Sequence, residues 1–324
     1  VPQAPRHSGG ITHFDDAPSN AFALGHLQGR WTMLGEAAGS VSAGVRRIEV
    51  PPGGWSTPAH DHGAEEEIFF VLSGRGVSWH AGATTEIRAG DCIVFLPRAG
   101  AHTLHAETAL DVLAFGTRRP DNAIAFPRLG MSLVGPRATE SMPRAIDGKP
   151  FQFVRESELG PPELPDPPGP RPATIVGVDD IEPERVERAR IRRERRNLGR
   201  AAGSVQTGIQ HVTVWPGYES APLHCHSHEE EIFVILEGEG TLVLGRDVAT
   251  QTETPVRPGH VIARPAGTAV AHMFRAGEDT LRYLAYGTRE PGDMCFYPRS
   301  NKVAFRGVGV IARLEQLDYW DGED

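Results

Sequence analysis

The sequence predicts an all-β protein built from two copies of one barrel or sandwich domain, and three observations carry that prediction. From about Trp31 onward, short apolar runs alternate with glycine and proline, the pattern of an antiparallel sandwich or barrel. Sliding the chain by 164 positions lays Leu34–Gly76 over Leu198–Gly240 without a gap, so that LGEAAGSVSAGV meets LGRAAGSVQTGI and PAHDHGAEEEIFFVLSGRG meets PLHCHSHEEEIFVILEGEG. A repeat of that length is a duplicated domain rather than a short solenoid unit. The 324 residues, 39% of them hydrophobic, are enough for two cores.

The match resumes downstream at a larger offset. AHTLHA (101–106) pairs with AHMFRA (271–276), and LAFGTRRPDNAIAFPR (113–128) pairs with LAYGTREPGDMCFYPR (284–299), which places an insertion of six or seven residues around Gly245–Pro258. Within the first copy, VRRIEVPPGGW (45–55) reads as a strand and turn, EIFFVLSGRG and VSWHAG as a hairpin, and AGDCIVFLPRAGAHTLHA as two strands about a turn. The expected domains are an N-terminal arm over 1–30, a first barrel over 31–135, a connector over 136–196, a second barrel over 197–311 and an acidic tail over 312–324. Residues 1–30 lack a sustained period and are expected to lie over the domain, with His7, His13 and His26 solvated. PPELPDPPGPRP (161–172) is too proline-rich for ladder hydrogen bonds and reads as a semi-rigid extended connector. DDIEPERVERARIRRERRNLG (179–199) mixes acids with arginines and is expected to form a short solvated helix from near Pro183. The tail LEQLDYWDGED is expected to pack Tyr319 and Trp320 back onto the body.

The chemistry concentrates in the two copies of one motif. Residues at i and i+2 of a strand share a face, so His60 and His62 point one way, as do His224 and His226. Each pair is followed by a run of three glutamates and an apolar strand. Glu67 and Glu231 share strand parity with Phe69 and Val71, and with Phe233 and Ile235, so they are the members expected inside a barrel. Glu66 and Glu230 then face outward, and Glu65 and Glu229 fall in the turn. Each copy adds one more histidine at the matching place, His102 and His272. Imidazoles and a carboxylate converging in an interior suit a transition metal. The alternative is a set of hydrogen-bonded core histidines, but unpaired buried imidazoles beside a carboxylate are costly without a cation. Mixed nitrogen and oxygen ligation suits Mn, Fe, Ni, Co, Cu or Zn, one ion in each barrel. His228 lies in the turn of the second motif, Cys225 between two inward ligands and so facing out, and His80, His105, His211 and His260 have no histidine at the matching repeat position.

In the first half, Gly54, His60, His62, Glu67 and Gly74 are followed by Gly90, Pro97, Gly100 and His102; in the second, Gly217, His224, His226, Glu231 and Gly238 are followed by Gly259, Pro265, Gly267 and His272. This order resembles the two signature motifs of the cupin superfamily. The resemblance covers both repeats and implies a bicupin, two double-stranded β-helix (jelly-roll) barrels, each holding a divalent metal between three histidines and one glutamate. Two departures are turn-length changes: the second half's final histidine follows its proline two residues later, and its first glycine spacing differs by one. Relatives of this kind include dioxygenases, oxalate-processing enzymes, isomerases, lyases and proteins that only bind, so the fold does not decide the activity. Oxalate decarboxylase-like bicupins carry an arginine three residues before the first ligand histidine and a Ser-Glu-Asn-Ser lid; here those positions are Thr57 and Ala221, and no such lid occurs. Gentisate-type bicupins lack the glutamate, and metal-free sugar epimerases need no complete ligand set.

The net charge of −9 and pI near 5.9 argue against nucleic acid or an anionic membrane as the main partner. No apolar run reaches the roughly 18 residues of a membrane span, and no signal peptide pattern is visible. Cys92, Cys225 and Cys295 form no CxxC, which fits a reducing, cytoplasmic setting. The expected activity is that of a metal-dependent enzyme on a small organic molecule, with dioxygenase-type oxidation favoured. The residues sharing the ligand face, Phe69, Val71 and Leu104 in one barrel and Phe233, Ile235 and Phe274 in the other, would make the pockets apolar. The alternatives are a metal-dependent isomerase or lyase, and a non-catalytic binder gripping its ligand through Trp31, Trp55 or Trp79. A homodimer is expected, with barrel edges paired by an arm such as residues 1–30.

Overall fold

The computed structural model describes residues 9–134, 145–146, 148–247 and 249–323. Two β-barrels stand side by side, each built on a seven-stranded antiparallel sheet faced by a three-stranded one. In the first, the large sheet runs in the order Ile175–Gly177, Asp91–Phe95, Glu67–Ser73, Leu110–Thr117, Ala43–Val50, Leu27–Thr32 and Ser19–Leu24. In the second, it runs Ile11–His13, His260–Arg264, Glu231–Glu237, Leu281–Thr288, Thr207–Val214, Ile191–Arg196 and Glu184–Arg188. The facing sheets are His102–Ala106 with Arg75–His80 and Ala83–Arg88, and Ala271–Ala276 with Gly240–Gly245 and Thr252–Val256. Among the described residues no helix is long and apolar enough to cross a membrane.

The motif strands EIFFVLS and EIFVILE are apolar on consecutive positions because both of their faces are buried. Phe69 and Val71 point into the first barrel's own core, with Ile48, Phe95 and Leu104. Ile68 and Phe70 point the other way, into a shared core with Leu34 and Phe115 of the same barrel and Leu198, Ile232, Val234 and Tyr286 of the second. Phe115 and Tyr286, matched positions of the repeat, stack there with centroids 5.0 Å apart. The glycines closing the two strands leave no space for a side chain. Gly74 and Gly238 have φ of +88° and +73°, and a Cβ on either would lie 2.0 Å from a backbone oxygen, of Ala109 and Thr280 respectively.

The barrels are joined reciprocally. Ile11–His13 precedes the first repeat but pairs with His260–Arg264 of the second barrel, while Ile175–Gly177 precedes the second repeat but pairs with Asp91–Phe95 of the first. Two buried carboxylates tie the same interface. Glu66 accepts from Ser204 Oγ (2.6 Å), Val205 N (2.8 Å) and Thr207 Oγ1 (2.5 Å) of the second barrel. Glu230 accepts from Val41 N (2.8 Å), Ser42 Oγ (2.7 Å) and Ala43 N (3.0 Å) of the first. The outward parity expected for both glutamates thus leads to the neighbouring barrel and not to water.

Five expectations are corrected. EIFFVLSGRG and VSWHAG form no hairpin, because Glu67–Ser73 pairs with Asp91–Phe95 and Leu110–Thr117 while Arg75–His80 crosses to the facing sheet and pairs with Ala83–Arg88 and His102–Ala106. Apart from its two ends, which enter the 3₁₀ turn Val178–Asp180 and the short helix Leu198–Ala201, the segment 179–199 is no helix; Glu184–Arg188 and Ile191–Arg196 form a hairpin at the edge of the second barrel. Its register sets Glu184 against Arg195, Arg185 against Glu194 and Glu187 against Arg192, so the mixed charge serves cross-strand pairing. Residues 9–30 of the arm are also structural: Ser19–Leu24 and Leu27–Thr32 are the counterpart hairpin of the first barrel, and Ile11–His13 closes an edge of the second barrel. His13 is buried rather than solvated, with Nε2 3.0 Å from Pro258 O, and His26 is half-buried and edge-on to Trp55; His7 lies outside the described residues. Tyr319 and Trp320 do not pack back but stand 81% and 69% exposed. The connector also holds a helix, Phe151–Leu159, fastened by Arg128 to the buried Glu156 at 2.6 Å.

Replacing Glu66 by alanine removes the acceptor of Val205 N and of the buried Thr207 Oγ1, while Ser204 Oγ keeps Thr207 O. The expected cost is about 2–4 kcal/mol, read as a lower midpoint in chemical denaturation; a variant within about 0.5 kcal/mol of wild type would show that the clamp does not couple the barrels.

Candidate metal centres

The first centre draws on three elements. His60 and His62 come from the extended stretch leading into Asp61–His62, Glu67 opens the strand Glu67–Ser73, and His102 opens His102–Ala106. A reciprocal pair of backbone hydrogen bonds between His60 and His102 (3.2 and 2.9 Å) sets the two rings side by side, 4.7 Å between centroids. Glu67 Oε2 sits at the middle of the group, 2.9 Å from His102 Nε2, 3.5 Å from His62 Nε2 and 3.6 Å from His60 Nε2. The second centre repeats this arrangement: Glu231 Oε2 lies 2.9, 3.5 and 4.0 Å from Nε2 of His272, His226 and His224. All eight residues singled out in the sequence therefore converge as two sets of four.

The outer nitrogens explain how the rings are aimed. His60 Nδ1 donates to Pro58 O (2.9 Å) and His224 Nδ1 to Pro222 O (2.8 Å), leaving each Nε2 turned toward its carboxylate. Several inner atoms are buried with no hydrogen bond of good geometry: His62 Nε2, His226 Nε2, His272 Nε2 and Glu231 Oε2. Converging orphaned donors of this kind fit a cation coordinated between them.

The electrostatics are consistent. Burial would raise the Glu67 and Glu231 carboxyls, but the surrounding imidazoles outweigh it and hold both well below the usual carboxylate range. Burial pushes His102 down to about 4, and burial with the neighbouring His272 pushes His224 down to about 3, so both rings stay neutral. Burial also pulls His62 and His226 down, but Glu67 and Glu231 respectively overcome it and lift both above the ordinary imidazole value.

The two surroundings differ. Phe95 stacks on His102 in the first barrel (3.8 Å, 6° between planes), and Phe126 lies 6.1 Å from His60. A cavity of about 740 Å³ opens beside this centre, lined by Trp31, Phe69, Ile124, Phe126, Leu133 and Phe153 together with His60, His62 and Glu67. Val71 and Leu104 are fully packed in the core and do not line it, and Phe233, Ile235 and Phe274 are likewise core residues of the second barrel. In the second barrel, Arg264 stands where Phe95 stands, opposite Glu231 as Phe95 is opposite Glu67. Cys295 and Tyr297 replace Ile124 and Phe126, and the Cys295 thiol groups with the His224 and His226 nitrogens within 4.8 Å. Burial pushes that thiol up to about 12.

Sequence reasoning missed the residues behind the buried histidines. Asn122 Nδ2 lies 2.9 Å from His62 Nδ1, and Asp293 Oδ2 lies 2.7 Å from His226 Nδ1. Both sit in the repeated segments 113–128 and 284–299, at matching places, which was the available signal. Among the described residues the other histidines lie outside both clusters. His228 is exposed in the turn beside Ser227, Cys225 packs with Leu223 and Met273, His80 lies against Phe95, His105 against Trp55, and His260 against His13, while His211 lines the cleft between the barrels.

Comparison with known proteins agrees with this architecture. The cupin domain family matches twice, over residues 46–115 and 210–286. The chain is 35% identical over 130 residues to auxin-binding protein 1 of Arabidopsis thaliana, covering 37% of this chain and 61% of that protein. It is 31% identical over 134 residues to an auxin-binding protein of Nicotiana tabacum, covering 38% of this chain and 67% of that protein. The match thus spans about three fifths of the Arabidopsis relative's length. Among solved structures, an oxalate decarboxylase of Bacillus subtilis described with Mn(II) centres superposes with a TM-score of 0.58 at 16% identity, over 89% of this chain and 79% of that one. The Lactobacillus farciminis oxalate decarboxylase in its formate complex gives 0.57 at 16%, over 86% of each chain. At such identities the likeness concerns the fold. With both barrels matched and both motifs complete, the chain belongs to the cupin superfamily as a bicupin.

Proposed function

We propose that His60, His62, Glu67 and His102, and likewise His224, His226, Glu231 and His272, each hold one divalent transition metal, and that the first centre acts on a small organic molecule seated in the adjoining cavity. The observation that carries this is the convergence of His60, His62 and His102 Nε2 on Glu67 Oε2, with His62 Nε2 lacking any hydrogen bond, at the edge of a space of about 740 Å³ whose lining is mostly apolar but includes Arg46, Arg118 and Arg119. An ion held there would supply Lewis acidity and positions open to substrate and dioxygen. The chain's own residues do the rest. Pro58 fixes the His60 ring, Phe95 presses His102 flat, and Trp31, Phe126 and Phe153 form walls that orient a flat apolar body and exclude water. Glu65, close to His62, borders the site and is held there by accepting from Arg119 N and Asn122 Nδ2.

Dioxygen-dependent oxidation of an aromatic or enol-type substrate is the leading reaction. No arginine stands three residues before His60, where Thr57 is found, which sets the centre apart from oxalate processing. A second reading, binding without turnover, is supported by the names of the auxin-binding relatives.

Elemental analysis of protein purified without chelator is expected to find up to two divalent metals per chain, and the double variant His62→Ala with His226→Ala to have lost them; full metal content in that variant would refute the assignment. Uptake should weaken with acidity. A ligand imidazole must be neutral, and His62 and His226 are held above the ordinary value of about 6.5, so protons compete already near neutral pH and increasingly below it. Affinity rising as pH falls from about 7 to 5 would contradict this sign.

With Fe or Mn supplied, a panel of small phenols, enols and keto acids is expected to yield turnover that consumes oxygen, and His102→Ala to lower kcat by about 100-fold or more. Turnover without oxygen uptake would replace the oxygenase reading by an isomerase or lyase. Saturable binding with no product under either metal would leave a binder.

A further inference from the structure

The two centres share their four proposed ligands but not the residue behind the buried histidine. Asp293 Oδ2 lies 2.7 Å from His226 Nδ1, and a carboxylate can only accept, so the proton sits on Nδ1 and Nε2 presents a lone pair to the cluster. Asp293 is itself anchored, its other oxygen accepting from the backbone N–H groups of His228 (3.0 Å) and Glu229 (3.2 Å).

In the first barrel the matching residue is Asn122, and its amide orientation is fixed from both ends. Oδ1 accepts from Ala64 N (3.0 Å), while Nδ2 donates to Glu65 Oε2 (2.9 Å). The NH₂ end therefore faces His62 Nδ1 at 2.9 Å, and Nδ1 must accept. In the neutral ring the proton then belongs to Nε2, the atom that faces Glu67. To ligate a metal, His62 has to shift that proton to Nδ1, and Asn122 has to turn away from it, disturbing its bonds to Ala64 and Glu65. One feature of the second centre acts the other way: Arg264 is a buried cation across from Glu231. Glu229, Glu231 and Asp293 outnumber Arg264 and Arg306, so the surroundings remain net acidic.

We propose that the two centres have diverged in affinity, Asp293 acting as the positioning residue of a tight second centre and Asn122 leaving the first as the weaker, exchangeable one. This rests on the metal-binding reading above. Changing the partner of a ligand histidine alters metal affinity by about 10–100-fold, so the second centre should fill first by a margin of that order, while the first, beside the cavity, exchanges its ion.

Zn²⁺ titration of metal-stripped protein against a chromophoric chelator tests it. Wild type should show two separable binding events. His60→Ala with His102→Ala should leave the tight event, and His224→Ala with His272→Ala the weak one. Adding Asp293→Asn to the first pair recreates the Asn122 arrangement and should weaken binding about 10–100-fold; adding Asn122→Asp to the second should strengthen it by a similar factor. The gain is the decisive arm, since structural damage cannot produce it. Equal affinities of the two centres, or no gain from Asn122→Asp in protein with an unchanged circular dichroism spectrum, would overturn the proposal. Absence of Zn²⁺ binding at both centres would instead overturn the metal reading on which it stands.

Discussion

The buried carboxylates Glu66 and Glu230, each ringed by donors from the opposite barrel, set the condition that the rest of the molecule obeys. A charged group at 0% exposure is tolerated only where every approach is matched by a donor, so the interface admits one register. That register distributes each run of three glutamates. Glu65 stays in the turn against Asn122 and Arg119, Glu66 crosses to the second barrel, and Glu67 turns inward to the histidines. A slip of one residue would exchange the last two roles, removing the clamp and the histidine–carboxylate cluster together.

The same alternation ties function to the interface. Ile68 and Phe70 bind the barrels while Phe69 and Val71 fill the first one, so the strand that carries Glu67 is stiffened on both faces. The exchanged strands Ile11–His13 and Ile175–Gly177 cover edges that would otherwise expose unpaired backbone. A cluster of like-aimed imidazoles needs such support, because its members gain little from one another before a cation is present. On this shared frame the two interiors have moved apart. The first surrounds its centre with phenylalanines and an adjoining cavity; the second surrounds its centre with Arg264, Asp293, Cys295 and Tyr297.

Where sequence reading and structure part, the cause is ambiguity of pattern. Alternating Glu and Arg over 184–196 satisfies helical spacing and cross-strand pairing alike, and an open sheet edge on the second barrel decided for the hairpin. Residues 11–13 are too short to show a period, and their partner lies near residue 261, beyond any local signal. His13 is buried by that distant pairing and not by its neighbours in sequence. The aromatic tail carried an amphipathic pattern, but no apolar surface receives Tyr319 and Trp320.

The sequence by itself determined the duplication, the β architecture and the eight residues of the two clusters, because ligand spacing and strand parity are local properties that survive in one dimension. Tertiary structure alone decided which barrel each flanking strand joins, where Glu66 and Glu230 find their donors, and that Asn122 and Asp293 stand behind the buried histidines. Those are contacts between residues some 60 to 250 positions apart, settled by burial and hydrogen-bond complementarity that no short stretch of chain encodes.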